Sequence, residues 1–205
     1  MSADVNKTYR IALYPGDGIG VEVTEEVVRV LERVQEAIGS FALEMERFDW
    51  GAEYYASHGV VAPEGYLETL RSFDAVYLGA LGWPGEIPDH ITLEPLIRIR
   101  QGFDQYACVR PAKRREGVPC PLAGNTPVDM IVLRENSEGE YVTCGGRVRA
   151  GEPAEVAVQS AVHSRKAVER ILRFGADLAR KRRNRLTMIS KSNAQRYAYV
   201  LWDEV

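Results

Sequence analysis

Tyr9-Arg10-Ile11-Ala12-Leu13-Tyr14 is a short apolar run that ends in Pro15-Gly16-Asp17-Gly18-Ile19-Gly20, and behind it Val23, Val27, Val30, Leu31, Val34 and Ile38 recur at helical spacing. The order is strand, turn, helix. Leu43 to Phe48 reads as a second strand, Glu64 to Ser72 as a helix introduced by Pro63, and Ala75 to Leu78 as a buried strand. Strands alternating with helices predict an α/β fold with a mostly parallel sheet. Gly82, Pro84, Gly85 and Pro88 make Leu81 to Asp89 a shaped loop leaving that sheet, where open α/β sheets commonly meet ligands.

Past a helix around Leu93 to Arg100 the pattern changes, and a boundary near Gln101 divides the chain into a first α/β domain over 1–100 and a second α/β domain over 101–205. In the second, Tyr106 to Val109 and Met130 to Leu133 read as strands flanking a Pro/Gly-rich connection from Pro111 to Pro127. Tyr141 to Arg149, turned at Gly145-Gly146, and Glu155 to Ala161 predict a projecting hairpin arm over about 141–161. Such an arm usually finds a partner. A long helix from Arg165 to Arg182 faces Val168, Ile171, Leu172 and Leu178 inward, and Leu186 to Ile189 reads as a further strand.

Composition narrows the function classes. With 26 basic and 29 acidic residues the net charge is −3, so the whole molecule attracts neither nucleic acid nor an anionic membrane, and an anion must be held by a local cluster. No stretch is apolar enough for a membrane span, and the polar start at Met1 to Arg10 lacks the apolar core of a signal peptide. Cys108, Cys120 and Cys144 are odd in number and lack CxxC spacing, which argues for reduced thiols in a cytoplasm. His58, His90 and His163 have no ligand-like spacing. The basic run Arg180 to Arg185 reads as a solvated helix end.

Gly16, Gly18 and Gly20 follow a strand and open a helix, which permits either a phosphate cradle or a tight turn. They are not a Rossmann fingerprint, because the sixth place counted from Gly16 is Val21. The motifs taken together carry more. The Pro15–Gly20 turn, Leu78-Gly79-Ala80, Arg98-Ile99-Arg100 with Val109-Arg110-Pro111, Arg134-Glu135-Asn136-Ser137-Glu138-Gly139-Glu140-Tyr141 and Lys191-Ser192-Asn193 occur in that order. The chain thereby resembles the decarboxylating isocitrate, isopropylmalate and tartrate/malate dehydrogenases from about Tyr9 to its last residue. Gly82-Trp83-Pro84 and Leu201-Trp202-Asp203-Glu204 resemble the tartrate/malate branch.

That resemblance implies the isocitrate/isopropylmalate dehydrogenase-like fold, here incomplete, and NAD-dependent oxidation of tartrate with oxidative decarboxylation of D-malate and conversion of meso-tartrate to glycerate. An isopropylmalate or isocitrate specificity is the alternative within the same chemistry. Arg100, Arg110 and Arg134 map onto the substrate-binding arginines, and guanidinium suits a small dicarboxylic hydroxy acid because it grips carboxylate through two parallel hydrogen bonds. Each taken alone reads better as a surface arginine. Tyr141 and Lys191 map onto the acid and base, the lysine crossing a homodimer interface formed by the arm. Lys191 alone reads as a solvated charge.

The implied cofactors are NAD and Mn2+ or Mg2+, with K+ as a further candidate. The loop Leu81–Asp89 is a candidate cofactor contact, while Ile91-Thr92-Leu93-Glu94 differ from the run that the resemblance places on the nicotinamide side. The resemblance places the metal-binding aspartates and most of the adenosine pocket past Val205, so no metal ligand is assigned in this chain. It is therefore expected to be truncated and catalytically silent alone, a remnant able at most to dimerise being the other reading. The link Gly124 to Asp129 is shorter than the family's usual one.

Overall fold

The computed structural model describes residues 7–124 and 126–205. The reading of the polar start falls partly, over 1–6, outside the described residues, as does Asn125 of the short link. Two compact units divide between Ile99 and Arg100.

The first unit is built on β1 (Lys7–Gly16), followed by α1 (Ile19–Ile38), β2 (Phe41–Arg47), α2 (Ala52–His58), α3 (Tyr66–Arg71), β3 (Ala75–Ala80), α4 (Asp89–Thr92) and the start of α5 (Glu94–Gly102). The sheet has the order β2-β1-β3 and both pairings are parallel, with Leu13 opposite Arg47 on one side and Tyr77 on the other. A central parallel strand is covered on both faces, which is why Ala12, Leu13 and Tyr14 are all buried. Beyond β1 an aromatic core forms: Trp50 stacks on Phe48 at 4.6 Å and meets Tyr14 and Tyr66 edge-on at 5.4 and 6.0 Å. Burial pushes the Tyr66 phenol up to about 12, and its hydroxyl donates to the Pro95 carbonyl at 3.3 Å.

The glycines of the opening turn serve packing. A Cβ at Gly16, whose φ is 72°, would lie 2.0 Å from the Ala80 carbonyl oxygen. One at Gly20 would lie 2.2 Å from the Pro15 oxygen. The ends of β1 and β3 and the first turn of α1 thus meet backbone to backbone. The turn's amides are also spoken for, with Asp17, Gly20 and Val21 donating to Ala80, Asp17 and Gly18 carbonyls at 2.7, 2.9 and 3.2 Å. Of the two readings of this turn, these contacts support tight packing.

Asp17, 4% exposed, adds the staple. Its Oδ1 accepts from the Ala52 amide at 2.6 Å and its Oδ2 from the Gly82 amide at 2.8 Å. One carboxylate therefore fixes the first turn of α2 and the start of the 81–89 loop, which folds back through a Trp83–Ile87 bridge and buries Ile87 against Ala52 and Val61. Helix α2 escaped the sequence reading because it is short. Its signals are the flanking glycines, of which Gly59 caps the C-terminus at φ 73°.

Helix α1 departs from expectation on one face. It turns Gly20 and Thr24 to the sheet, with Leu31 half-buried, while Val23, Val30, Val34 and Ile38 remain exposed. The apolar stripe is wider than the three-stranded sheet can cover.

The second unit continues from Arg100 with the end of α5, then β4 (Ala107–Lys113), β5 (Asp129–Glu135), β6 (Gly145–Val148), β7 (Val156–Gln159), α6 (Arg165–Arg180) and α7 (Ala198–Glu204). β4 and β5 are antiparallel, and β4 runs through Pro111 to Lys113, further than expected, because it pairs on one side only and the missing proline N–H costs no ladder bond. The hairpin arm exists as β6–β7, but Gly145 and Gly146 lie within β6 and not at the turn. Gly145 is needed there because a Cβ would approach the Val158 carbonyl oxygen to 2.2 Å. The turn lies over 149–155, with Arg149 and Gly151 at φ 55° and 81°.

Helix α6 buries Ala167, Val168, Ile171 and Gly175, and Ser164 caps it by accepting from the Ala167 amide. It stops at Arg180. Arg182 and Arg183 turn back to grip Asp129 at 2.6 and 3.1 Å, so the basic run is more than a solvated helix end. The Arg182 hydrogen bond, followed by that of Arg183, holds the Asp129 carboxyl below the usual range; the tie is present at neutral pH and lost as pH falls through that lowered value. Leu186 to Ile189 does not form the expected strand. No neighbouring strand pairs with it among the described residues, Leu186 packs over Gly175, and Ile189 is 90% exposed. No helix among the described residues is long and apolar enough to cross a membrane.

Candidate functional site

The antiparallel register of β4 and β5 sets Cys108 opposite Arg134 and Arg110 opposite Val132. Directly paired residues share a face and residues two apart on a strand share it too, so Arg110 and Arg134 are diagonal neighbours on one side of the ribbon. Arg100, in the last turn of α5, joins them electrostatically. Burial and then Arg134 push its guanidinium below the ordinary arginine value, with Arg110 acting in the same direction and Cys108 and Tyr141 opposing. Arg100 stays protonated under any ordinary condition.

Tyr141 completes the group. Its hydroxyl accepts from Arg134 Nη1 at 3.0 Å, and the guanidinium carbon lies 5.3 Å from its ring centroid. The backbone is fixed by Gln101, whose Nε2 donates to the Tyr141 and Ser137 carbonyls at 3.2 and 3.4 Å. The structure thus gathers Arg100, Arg110, Arg134 and Tyr141. Lys191 stands apart, exposed and with no ion-pair partner among the described residues; its carbonyl closes a turn by accepting from the Ala194 and Gln195 amides at 3.0 and 2.9 Å.

What the arginine cluster lacks matters as much as what it holds. Among the described residues none of its three members has a carboxylate within ion-pair reach, whereas Arg170 and Arg182 of the same unit are taken by Asp104 and Asp129 at 2.7 and 2.6 Å. Two acidic residues of the 134–141 motif, Glu135 and Glu138, are turned to scaffold work. Glu135 accepts from the Ser137 amide and hydroxyl and from the Glu138 amide at 3.0, 2.6 and 2.8 Å. Glu138 accepts from the Ser164 amide and hydroxyl, both at 2.7 Å, and so anchors the cap of α6. Sequence reasoning assigned only Arg134 and Tyr141 within this motif; the density of polar residues between them was the available signal.

A cleft of about 780 Å³ opens beside β5, with Leu133, Arg134, Tyr141, His163, Leu186 and Trp202 along its walls. His163 Nδ1 accepts from the Trp202 indole at 3.1 Å. For a divalent metal the donor set does not fit: among the described residues no three His, Cys, Asp or Glu side chains cluster. For a dinucleotide the opening turn offers no cradle, because its backbone approaches are filled by the chain itself.

The isocitrate/isopropylmalate dehydrogenase profile matches residues 10–205. The chain belongs to this family. Among curated members of the isocitrate/isopropylmalate dehydrogenases it is 49% identical over 203 residues to D-malate dehydrogenase [decarboxylating] of Escherichia coli (strain K12), covering 97% of this chain and 56% of that protein. It is 42% identical over 202 residues to tartrate dehydrogenase/decarboxylase of Pseudomonas putida, covering 96% and 55%. Among solved structures, isocitrate dehydrogenase from Methylococcus capsulatus superposes with a TM-score of 0.79 at 28% identity, over 96% of this chain and 55% of that one. The chain spans just over half the length of these relatives.

Proposed function

We propose that this chain supplies the acid-clamping part of an NAD-dependent, divalent-metal-dependent dehydrogenase that oxidises tartrate and oxidatively decarboxylates D-malate. The observation that carries the reading is three convergent guanidiniums with no carboxylate among the described residues to neutralise them. Mutual repulsion among them is a standing cost, and a small dianion would relieve it. The relatives named for D-malate and tartrate, at 49 and 42% identity, favour those acids.

In this reading bound NAD would supply the hydride acceptor and a divalent metal would supply polarisation of the substrate hydroxyl, with none of the described residues assigned to hold either, and the chain's own share is binding, orientation and two proton positions. Arg134 donates to the Tyr141 oxygen, which leaves the phenol O–H free to donate to a substrate carbon after carbon dioxide is lost. Lys191 is the base at the C2 hydroxyl, acting across a dimer in the site of a second copy. The arm supports that arrangement: Val148, Val156 and Val158 share one face of the β6–β7 ribbon and are 53–61% exposed, an apolar strip suited to the same strip of a partner.

Ligand-induced thermal stabilisation tests the dicarboxylate reading. D-malate and tartrate are expected to raise the melting temperature of the second unit more than lactate at equal concentration, because only a dianion engages more than one arginine; at 100 times Kd the gain is about 2.7 kcal/mol. Equal shifts for lactate and D-malate would count against it.

A further inference from the structure

Both ends of the Arg134 guanidinium rest on neutral acceptors. Nη1 donates to the Tyr141 hydroxyl at 3.0 Å and Nη2 to Asn136 Oδ1 at 2.8 Å. Asn136 is 5% exposed and is itself held twice, its amide N–H donating to the Tyr106 carbonyl at 2.9 Å and its Nδ2 to the Gln105 carbonyl at 3.4 Å. The Gln105 amide in turn donates to the Arg100 carbonyl at 2.7 Å. A single buried amide therefore ties the end of β5, which carries Arg134, to the segment that follows Arg100.

Its neighbours sharpen the point. Glu135 and Glu138 flank Asn136 and are both carboxylates, yet both are turned to backbone amides and serine hydroxyls. The residue that faces the arginine is the uncharged one. A carboxylate at 136 would orient Arg134 equally well, but it would form an internal ion pair against which any anionic ligand must compete.

We propose that Asn136 is a positioning residue for anion binding: it sets the Arg134 guanidinium in register with Arg100 and, being an amide, leaves the arginine's charge to the ligand. This rests on the dicarboxylate reading given above. The role is separable from mere support, because support is indifferent to the charge of the acceptor.

Calorimetric titration of the full chain with D-malate tests it. Asn136→Asp is expected to keep a cooperative melting transition yet bind D-malate about tenfold more weakly, and Asn136→Ala to lose a similar factor through a wandering guanidinium. Neither change should weaken binding further in an Arg134→Ala background, since Asn136 acts through Arg134. Unchanged affinity in folded Asn136→Asp, or losses that add to that of Arg134→Ala, would overturn the proposal. Should the variants fail to fold, nitrogen-detected NMR of the unaltered chain decides: a clamped Arg134 shows separate, slowly exchanging Nη signals, and one averaged signal refutes the clamp. If the unaltered chain shows that clamp but does not bind D-malate, it is the dicarboxylate reading that fails, and the positioning geometry stands.

Discussion

Arg134→Ala is expected to weaken D-malate binding by about 100-fold, equivalent to about 2.7 kcal/mol, with a smaller loss for Arg134→Lys. Breaking a buried ion pair costs roughly 3–5 kcal/mol, and the half-buried position of Arg134 in an open cleft lowers that figure. Lysine keeps the charge but not the planar fork that spans Tyr141, Asn136 and a carboxylate. Arg110→Ala should cost less, because Arg110 is exposed. Stability should move little, as the two lost hydrogen bonds are offset by relief of the repulsion felt by Arg100. Titration calorimetry measures the binding term; a loss under about threefold would mean that Arg134 is not a principal contact.

Asp17→Ala carries the largest expected effect on stability, a loss of about 3 kcal/mol in chemical denaturation. Each of its two short bonds joins a charged acceptor to a backbone amide, and hydrogen bonds of that kind contribute roughly 1.5–3 kcal/mol. Alanine would leave the Ala52 and Gly82 amides without acceptors where water has little room, since a Cβ at neighbouring Gly51 would already lie 2.2 Å from Asp17 Oδ1. Asp17→Asn keeps one accepting oxygen and should lose about half as much. A change below about 1 kcal/mol for alanine would show that the loop and α2 are held by their apolar contacts alone.

The first unit was legible because its signals are local. Apolar strand runs and Pro63 mark elements directly, and alternation of strand and helix implies the parallel pairing that β1, β2 and β3 adopt. The stapling by Asp17 was not legible, since its partners lie 35 and 65 residues away and are backbone amides that any residue supplies. Register was the second blind spot. Gly145 and Gly146 read as a turn because glycine permits one, but here glycine answers a close approach of the facing strand. The Leu186–Ile189 run has the composition of a strand and lacks a neighbour, and composition alone cannot provide a ladder.

In the site, Arg100, Arg110, Arg134 and Tyr141 were found through motif order, and their meeting follows from the β4–β5 register and the turn after α5. The supporting shell of Gln101, Glu135, Asn136 and Glu138 was missed because its function is geometric. An asparagine in a row of acidic residues looks like one more solvated polar group until its amide is seen on the guanidinium. Among the described residues no three potential metal ligands cluster, and the chain spans just over half the length of its relatives.

A crystal structure of the chain grown with D-malate bears most directly on whether three positive side chains act as one receptor. One carboxylate is expected in a paired, two-bond contact with Arg134, and the ligand's remaining oxygens within hydrogen-bond distance of Arg100 or Arg110, beside the Tyr141 hydroxyl. Density for the acid elsewhere, or arginines splayed toward solvent around an empty face of β4 and β5, would contradict the account.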